Sequence, residues 1–324
     1  MTNANDIGRI DLAQAKKDYA TQGYCIVPDV LTAAELAAVC QRVDEQAAAE
    51  RALGWAWEDG GQGQKGIRDY DTRLDEVVGQ KGGVNQKIGM LVNKGQVFRD
   101  LVTHPTALGL VEHVLGPQFL LSSIYANIAK KGGALEALHR DAWWFPMPYR
   151  GDGDAYTRVG DRSAIMAARL PEGINIAPGA CNCIWMVTDF NDENGGTRLV
   201  PGSHLRSENP DPSVPHKVPT IAATGKAGSI CFFDGRLWHA TGQNKTDEPR
   251  IGLLSYYCGP QIRQNDNHFL GLDPAVVAQC SDKLLDLLGY TTWGYFGKGD
   301  VLSSRRRLRA REPWVPEMRL RPQD

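Results

Sequence analysis

His139, Arg140 and Asp141 put an imidazole and a carboxylate one residue apart. On an extended strand alternate side chains share a face, so His139 and Asp141 can converge on one point. That pair is most of the two-histidine, one-carboxylate set that holds Fe(II) in non-haem oxygenases and leaves coordination positions open for other ligands. The chemistry needs one more histidine, on a facing strand.

His104 and His113 fall in a helical region and suit capping or surface roles, while His216 and His268 sit in polar loops. Two candidates remain. His204 follows a tight turn in Pro201-Gly202-Ser203-His204. His239, in Leu237-Trp238-His239-Ala240, follows a strand over 230–233 and the turn Asp234-Gly235-Arg236. Eleven residues beyond His239, Arg250 opens the apolar run 251–256. An inward guanidinium is a planar fork that takes a carboxylate bidentately. An oxygenase needs electrons beyond those its substrate gives. A 2-oxo acid supplies them by decarboxylation, and its far carboxylate then needs a buried cation. Arg250 meets that need, and Thr241 offers a hydroxyl to the same carboxylate.

These residues must be carried by a scaffold, and the chain changes texture to supply one. Its first part reads as helical. A helix over 11–21 stops at Gly23, and a short strand follows over 24–28. Thr32-Ala33-Ala34-Glu35 is a capping box with Leu31 and Leu36 as its hydrophobic staple. The helix behind it fades near Gly54. Residues 55–83 read as loop, a flap near the site. Pro105 and Gly116 bracket another helix, with Leu108, Val111 and Leu115 as its buried stripe. From Phe119 onward, short strands with Gly- and Pro-rich turns replace helices: 119–130, 138–145, 180–190, 197–200, 229–233 and 251–258. No βαβ alternation occurs. The pattern predicts a mainly β fold with flanking helices: a jelly roll buttressed at both ends of the chain. A single domain over 1–324 is expected, with a helical part over 1–117, a core over 118–260 and a helical extension over 261–324. Residues 147–178 form a long break after the His-x-Asp strand and are expected to act as a substrate lid. A helix is expected over 274–289, and the aromatic stretch 290–297 has no assigned role.

The bulk numbers exclude some classes. Net charge is −2 over 324 residues, so no basic field for nucleic acid or membrane exists. Only 305–311 concentrates arginine, and a solvated face explains it. Seven scattered cysteines with no CxxC pair read as core thiols rather than a disulfide framework or zinc site. No apolar run reaches transmembrane length and no signal peptide is read at the start, so a cytoplasmic protein is expected.

Three blocks together carry a family resemblance: His139-x-Asp141, the Asn194-Gly195-Gly196 turn running into Pro201-Gly202-Ser203-His204, and the stretch from His239 through Gly242 and Asn244 to Arg250. The chain resembles the phytanoyl-CoA dioxygenase family from about Tyr19 to Tyr290. The resemblance implies a double-stranded β-helix and an Fe(II)- and 2-oxoglutarate-dependent oxygenase that consumes dioxygen. It implies His139, Asp141 and His239 as iron ligands, and Arg250 with Thr241 as the anchor for 2-oxoglutarate. Trp185 and Asn127 are implied at the same cosubstrate. Asp141 disfavours halogenation, which requires a small residue there.

The resemblance further implies hydroxylation, or another oxidation, of an unactivated C–H bond, with 2-oxoglutarate converted to succinate and CO2. Trp143, Trp144, Phe145 and Met147 follow the metal strand and Trp238 precedes the last ligand, so a largely hydrophobic small molecule of secondary metabolism is expected as substrate. Arg140 and Arg150 would meet an anionic group or solvent. The alternatives are a metal-binding jelly roll of other chemistry and an acyl-CoA hydroxylase. Oligomeric state is left open, with a homodimer among the options.

Overall fold

The computed structural model describes residues 12–60, 83–133, 135–141, 176–210 and 218–297. In chain order these give α1 (Ala13–Gln22), β1 (Tyr24–Val27), α2 (Ala33–Ala52), β2 (Trp57–Asp59), β3 (Asn85–Ile88), α3 (Gln96–Val102), α4 (Pro105–Leu115) and β4 (Leu120–Ala129). Then follow β5 (Ala180–Met186), β6 (Arg198–Leu199), β7 (Ile221–Ala222), β8 (Ile230–Asp234), β9 (His239–Ala240) and β10 (Arg250–Cys258). Short helical turns close the described chain at His268–Gly271, Pro274–Val277 and Asp282–Leu287. No helix among the described residues is long and apolar enough to cross a membrane.

Local chemistry sets the helix ends. Gly23 ends α1 at φ 80°, a left-handed conformation that costs glycine little, and its amide donates to Tyr19 O. The Thr32 side chain accepts from the Glu35 amide while the Glu35 carboxylate accepts from the Thr32 amide, completing the capping box. Pro105 fills the first turn of α4 and the His104 ring caps it, accepting from Thr106 N–H at 3.2 Å.

The strands form a seven-stranded sheet, ordered β1-β8-β5-β10-β4-β3-β2, and a three-stranded sheet, ordered β7-β6-β9. Pairing is antiparallel throughout. The large sheet is covered on both faces. Its outer face puts Ile124, Cys181, Cys183, Trp185, Leu253 and Tyr257 against Val39, Phe98 and Leu110 of the helices. Its inner face puts Ile184, Met186 and Phe233 against Leu199 of the small sheet. Fully burying each such side chain contributes about 1.5–3 kcal/mol. The fold is the mainly antiparallel jelly roll with flanking helices that the strand pattern predicts. All seven cysteines are free, six of them buried.

Several expectations change. Within the expected loop 55–83, Trp57–Asp59 pairs with Asn85–Ile88 and extends the large sheet by two strands; residues 61–82 lie outside the described residues. The helix α3 follows without a sequence expectation. The helix expected over 274–289 is two pieces, because Ser281 starts a new cap by accepting from Leu284 N–H at 3.2 Å. The stripe of α4 is Ala107, Leu110 and Val111, with Leu108 and Leu115 only partly buried. His268 is buried rather than in open loop, its Nε2 3.1 Å from Leu121 O. Of the expected lid over 147–178, residues 147–175 lie outside the described residues, as does the arginine-rich run 305–311.

Candidate active site

His239 opens β9, and His139 pairs with it through a one-residue antiparallel bridge, not a long strand. Reciprocal backbone bonds of 2.9 and 3.0 Å close the bridge, and the two rings lie 4.4 Å apart. Each ring is oriented from behind. His139 Nδ1 is 3.0 Å from Ala137 O and His239 Nδ1 is 2.9 Å from Leu237 O. An Nδ1–H donated to a carbonyl leaves the Nε2 lone pair free, the tautomer that a metal takes. Asp141 completes the group: Oδ2 lies 3.2 Å from His239 Nε2 and Oδ1 lies 3.7 Å from His139 Nε2. One ligand atom from each residue falls within 4.8 Å of the others, the one such group found among the described residues. His204 is not part of it; it is buried in a 3₁₀ turn beside Tyr19.

Asp141 is held at three points besides the histidines. Its amide donates to Gly235 O at 2.9 Å, its carbonyl accepts from the Tyr256 hydroxyl at 2.8 Å, and Oδ2 accepts from Asn182 Nδ2 at 2.6 Å. Burial pushes its carboxyl up, but His239, His139 and the Asn182 bond overcome that and hold it well below the usual carboxylate range. For His239, burial favours the neutral ring and the adjacent Asp141 outweighs it, raising its pKa. The site stays open to ligands: 32% of the His139 side chain and 27% of Asp141 are exposed.

Arg250 heads β10 on the same inward face and is 2% exposed. Its Nε donates to Gly195 O at 3.2 Å and its guanidinium stacks 4.8 Å from the Phe190 ring centre. Its Nη2 is buried with no hydrogen-bond partner. Burial pulls the guanidinium down to about 10, against Glu136 and Tyr125, which hold it up. Gly252 lets the Phe190 ring pack close against β10, since a Cβ there would lie 2.8 Å from Phe190 Cζ and 3.6 Å from Arg250 Nη1. Asn127 pairs with Gly252 across the strands, sharing its inward face, and its buried Oδ1 also has no partner.

The Thr241 amide donates to Glu136 Oε2 at 3.0 Å and its hydroxyl bonds the same carboxylate, whose charge also acts on Arg250. Other expected site residues lie elsewhere. Trp185 faces the helices, with Nε1 donating to Ser255 Oγ at 3.1 Å and its ring edge-on to His104. Strand alternation explains this: Asn182, Ile184 and Met186 face inward, so Trp185 cannot. Trp238 precedes a candidate ligand on an extended segment and therefore points the other way, into a cluster with Leu138, Val200 and Ala240 beneath Arg206. Arg140 is shielded from solvent; it is buried, donating to Arg236 O at 3.0 Å and Arg206 O at 2.6 Å. Trp143, Trp144, Phe145, Met147 and Arg150 lie outside the described residues.

Three residues that the sequence reading passed over join the site. Asn182 holds Asp141, and its signal was a polar residue inside the apolar run Ala180-Cys181-Asn182-Cys183-Ile184. Tyr125 lies where the charges of Asp141, Glu136, Asp59 and Arg250 all act on its phenol. Lys87 stands opposite Asn127 on β3, 2.6 Å from Asp59. Lys87 sits in a segment whose alternation shows only once the strands pair, whereas Tyr125 lies on the strand expected over 119–130.

Comparison with known proteins gives this geometry a context. The profile of phytanoyl-CoA dioxygenase (PhyH) matches residues 19–252. The chain belongs to the phytanoyl-CoA dioxygenase family. Membership makes it an enzyme of the oxygenase class. Dioxygenase af480 of Aspergillus fumigatus is 30% identical over 295 residues, covering 90% of this chain and 81% of the relative. Dioxygenase FrzG of a Cladobotryum species is 28% identical over 232 residues, covering 68% of this chain and 67% of the relative. Two solved structures share the fold. One is the epimerase SnoN in complex with Fe3+, α-ketoglutarate and nogalamycin RO: TM-score 0.53, 22% identity, 81% of this chain and 90% of that one. The other is HygX from Streptomyces hygroscopicus with nickel, 2-oxoglutarate and hygromycin B: TM-score 0.54, 16% identity, 78% of this chain and 89% of that one.

Proposed function

We propose that His139, Asp141 and His239 hold Fe(II), that Arg250 anchors the far carboxylate of 2-oxoglutarate, and that the enzyme hydroxylates an unactivated C–H bond of a small molecule. The observation that carries this reading is the Arg250 guanidinium, buried on the inward face with one nitrogen unpaired and sharing with Asp141 the neighbour Tyr125. A buried donor without a partner costs about 1–3 kcal/mol, more when charged. A carboxylate ligand removes that cost. The donor set fits iron as well: two Nε2 atoms and one carboxylate with the other positions open.

Iron and 2-oxoglutarate, when bound, supply the oxidising power by consuming dioxygen and releasing succinate and CO2. The chain's own residues do the rest. Ala137 O and Leu237 O keep both imidazoles in the metal-binding tautomer. Asn182 holds Oδ2 of Asp141 and so favours binding through the other oxygen. Arg250 orients the cosubstrate. Tyr125, Asn127 and Glu136 add polar groups around Arg250. A metal-binding jelly roll that does not use 2-oxoglutarate would leave the Arg250 cost without a return.

The test is succinate release by the Fe(II)-loaded enzyme in air, with His139→Ala, Asp141→Ala and His239→Ala alongside. Succinate formation lost in all three supports the reading; turnover retained in any of them overturns the ligand assignment. With candidate substrates in isotopically heavy dioxygen, a product carrying one heavy oxygen supports hydroxylation. A product altered without gaining oxygen would make the outcome stereoinversion or ring closure.

A further inference from the structure

Asp234 ends β8 in full burial and carries a charge that the proposed chemistry does not use. Four donors meet its carboxylate: the Tyr19 hydroxyl at 2.6 Å, and the amide, Nε and Nη2 of Arg236 at 2.8, 2.8 and 2.7 Å. Tyr19 comes from α1, 215 residues earlier in the chain. Arg236 also donates to Ile176 O. Burial and then the Asp234 charge push the Tyr19 phenol far up, so it stays a donor. A buried ion pair is weak evidence of stability, because desolvation offsets its attraction. What this one does visibly is fix a turn.

The carbonyls of that turn face the metal group. Gly235 O accepts the Asp141 amide at 2.9 Å, Arg236 O accepts Arg140 Nε at 3.0 Å, and Leu237 O lies 2.9 Å from His239 Nδ1. The Leu237 amide closes the turn on Asp234 O at 2.9 Å. One short segment therefore sets the backbone of Asp141, the residue between His139 and Asp141, and the ring of His239.

We propose that Tyr19, Asp234 and Arg236 form a positioning unit for the metal site: clamping the 234–237 turn, they aim its carbonyls so that Asp141 and His239 converge. The inference rests on the iron reading above. It also gives α1 a role in the site, through one hydroxyl.

The experiment is an anaerobic Fe(II) titration of the full chain, together with the visible spectrum of the Co(II)-loaded protein, for wild type, Tyr19→Phe, Asp234→Asn, His239→Ala and Leu110→Ala. Leu110 lies in the helix-side core and serves as a control for general destabilisation. Removing an outer partner of a ligand typically weakens metal affinity about 10-fold or more. Tyr19→Phe and Asp234→Asn are expected to weaken Fe(II) by about that factor and to shift the Co(II) ligand-field bands. Leu110→Ala is expected to lower the thermal midpoint and leave both readouts unchanged. Fe(II) affinity within twofold of wild type and an unshifted Co(II) spectrum in Tyr19→Phe would overturn the proposal, whether or not Asp234→Asn folds. If His239→Ala binds Fe(II) as wild type does, the iron reading itself fails, an outcome separate from the first.

Discussion

Replacing Arg250 with methionine keeps a long unbranched stem beside Phe190 and removes the charge. The guanidinium is 2% exposed and burial holds it at about 10, so near neutral pH it is still a cation. Its Nε is satisfied by Gly195 O, while Nη2 waits for a partner. Removing one member of a buried, hydrogen-bonded charge pair costs about 2–5 kcal/mol in binding. At 1.4 kcal/mol per tenfold, that is a loss of at least about 25-fold in 2-oxoglutarate affinity. The assay is calorimetric titration of 2-oxoglutarate into the Fe(II) protein without oxygen. Arg250→Lys restores the charge without the fork and is expected to fall between the two. The sign with pH follows from the depressed value: the cation is present below about 10 and lost above it, so wild-type affinity should hold through neutral pH and fall as pH rises through that point. Affinity in Arg250→Met within threefold of wild type would refute the reasoning and return Arg250 to a structural role.

Three further outcomes are expected. Asn182→Ala removes the 2.6 Å donor to Asp141 and should weaken Fe(II) binding about 10-fold or more; unchanged affinity in an anaerobic titration would remove Asn182 from the site. Gly195→Ala forces a Cβ to 2.7 Å from Asn244 N and Gly242 O at φ 78°, which should displace Gly195 O from Arg250 and weaken 2-oxoglutarate more than it weakens iron. Equal losses in the two titrations would contradict that. For His268, burial lowers the ring pKa to about 4, against the Leu121 carbonyl. The unfolded chain therefore takes up a proton that the native state refuses between about 6.5 and that value, so stability falls as pH falls through the window. In urea unfolding, His268→Gln should close on wild type by roughly 2–3 kcal/mol between neutral pH and the lower end of the window; a constant gap would contradict the assignment.

Much of this was legible in the sequence, for identifiable reasons. The capping box at Thr32 and the Pro105-to-Gly116 helix are local, so neighbours in sequence decide them. His139-x-Asp141 and Arg250 stood out because two chemically specific residues at a short spacing, and a cation at the head of an apolar run, are rare by accident. Faces were harder. Trp185 and Trp238 each sit one residue from an inward position, and in a period-two strand a single step reverses the side. Asn182, one polar residue within the apolar β5, marked the inward face and would have placed Trp185 outward. The strands Trp57–Asp59 and Asn85–Ile88 carried no readable alternation, because their polar residues are stabilised by pairing with β4 and with each other. The clamp of Tyr19 on Asp234 joins residues 215 apart and leaves no trace in spacing.

The central claim is that the triad and Arg250 together form one Fe(II)–2-oxoglutarate site. Its most direct test is an anaerobic absorbance titration of the metal-free protein with Fe(II) and then 2-oxoglutarate. The account predicts a visible charge-transfer band that requires both components and disappears in His239→Ala. Iron bound by the triad with no band on adding 2-oxoglutarate would contradict it.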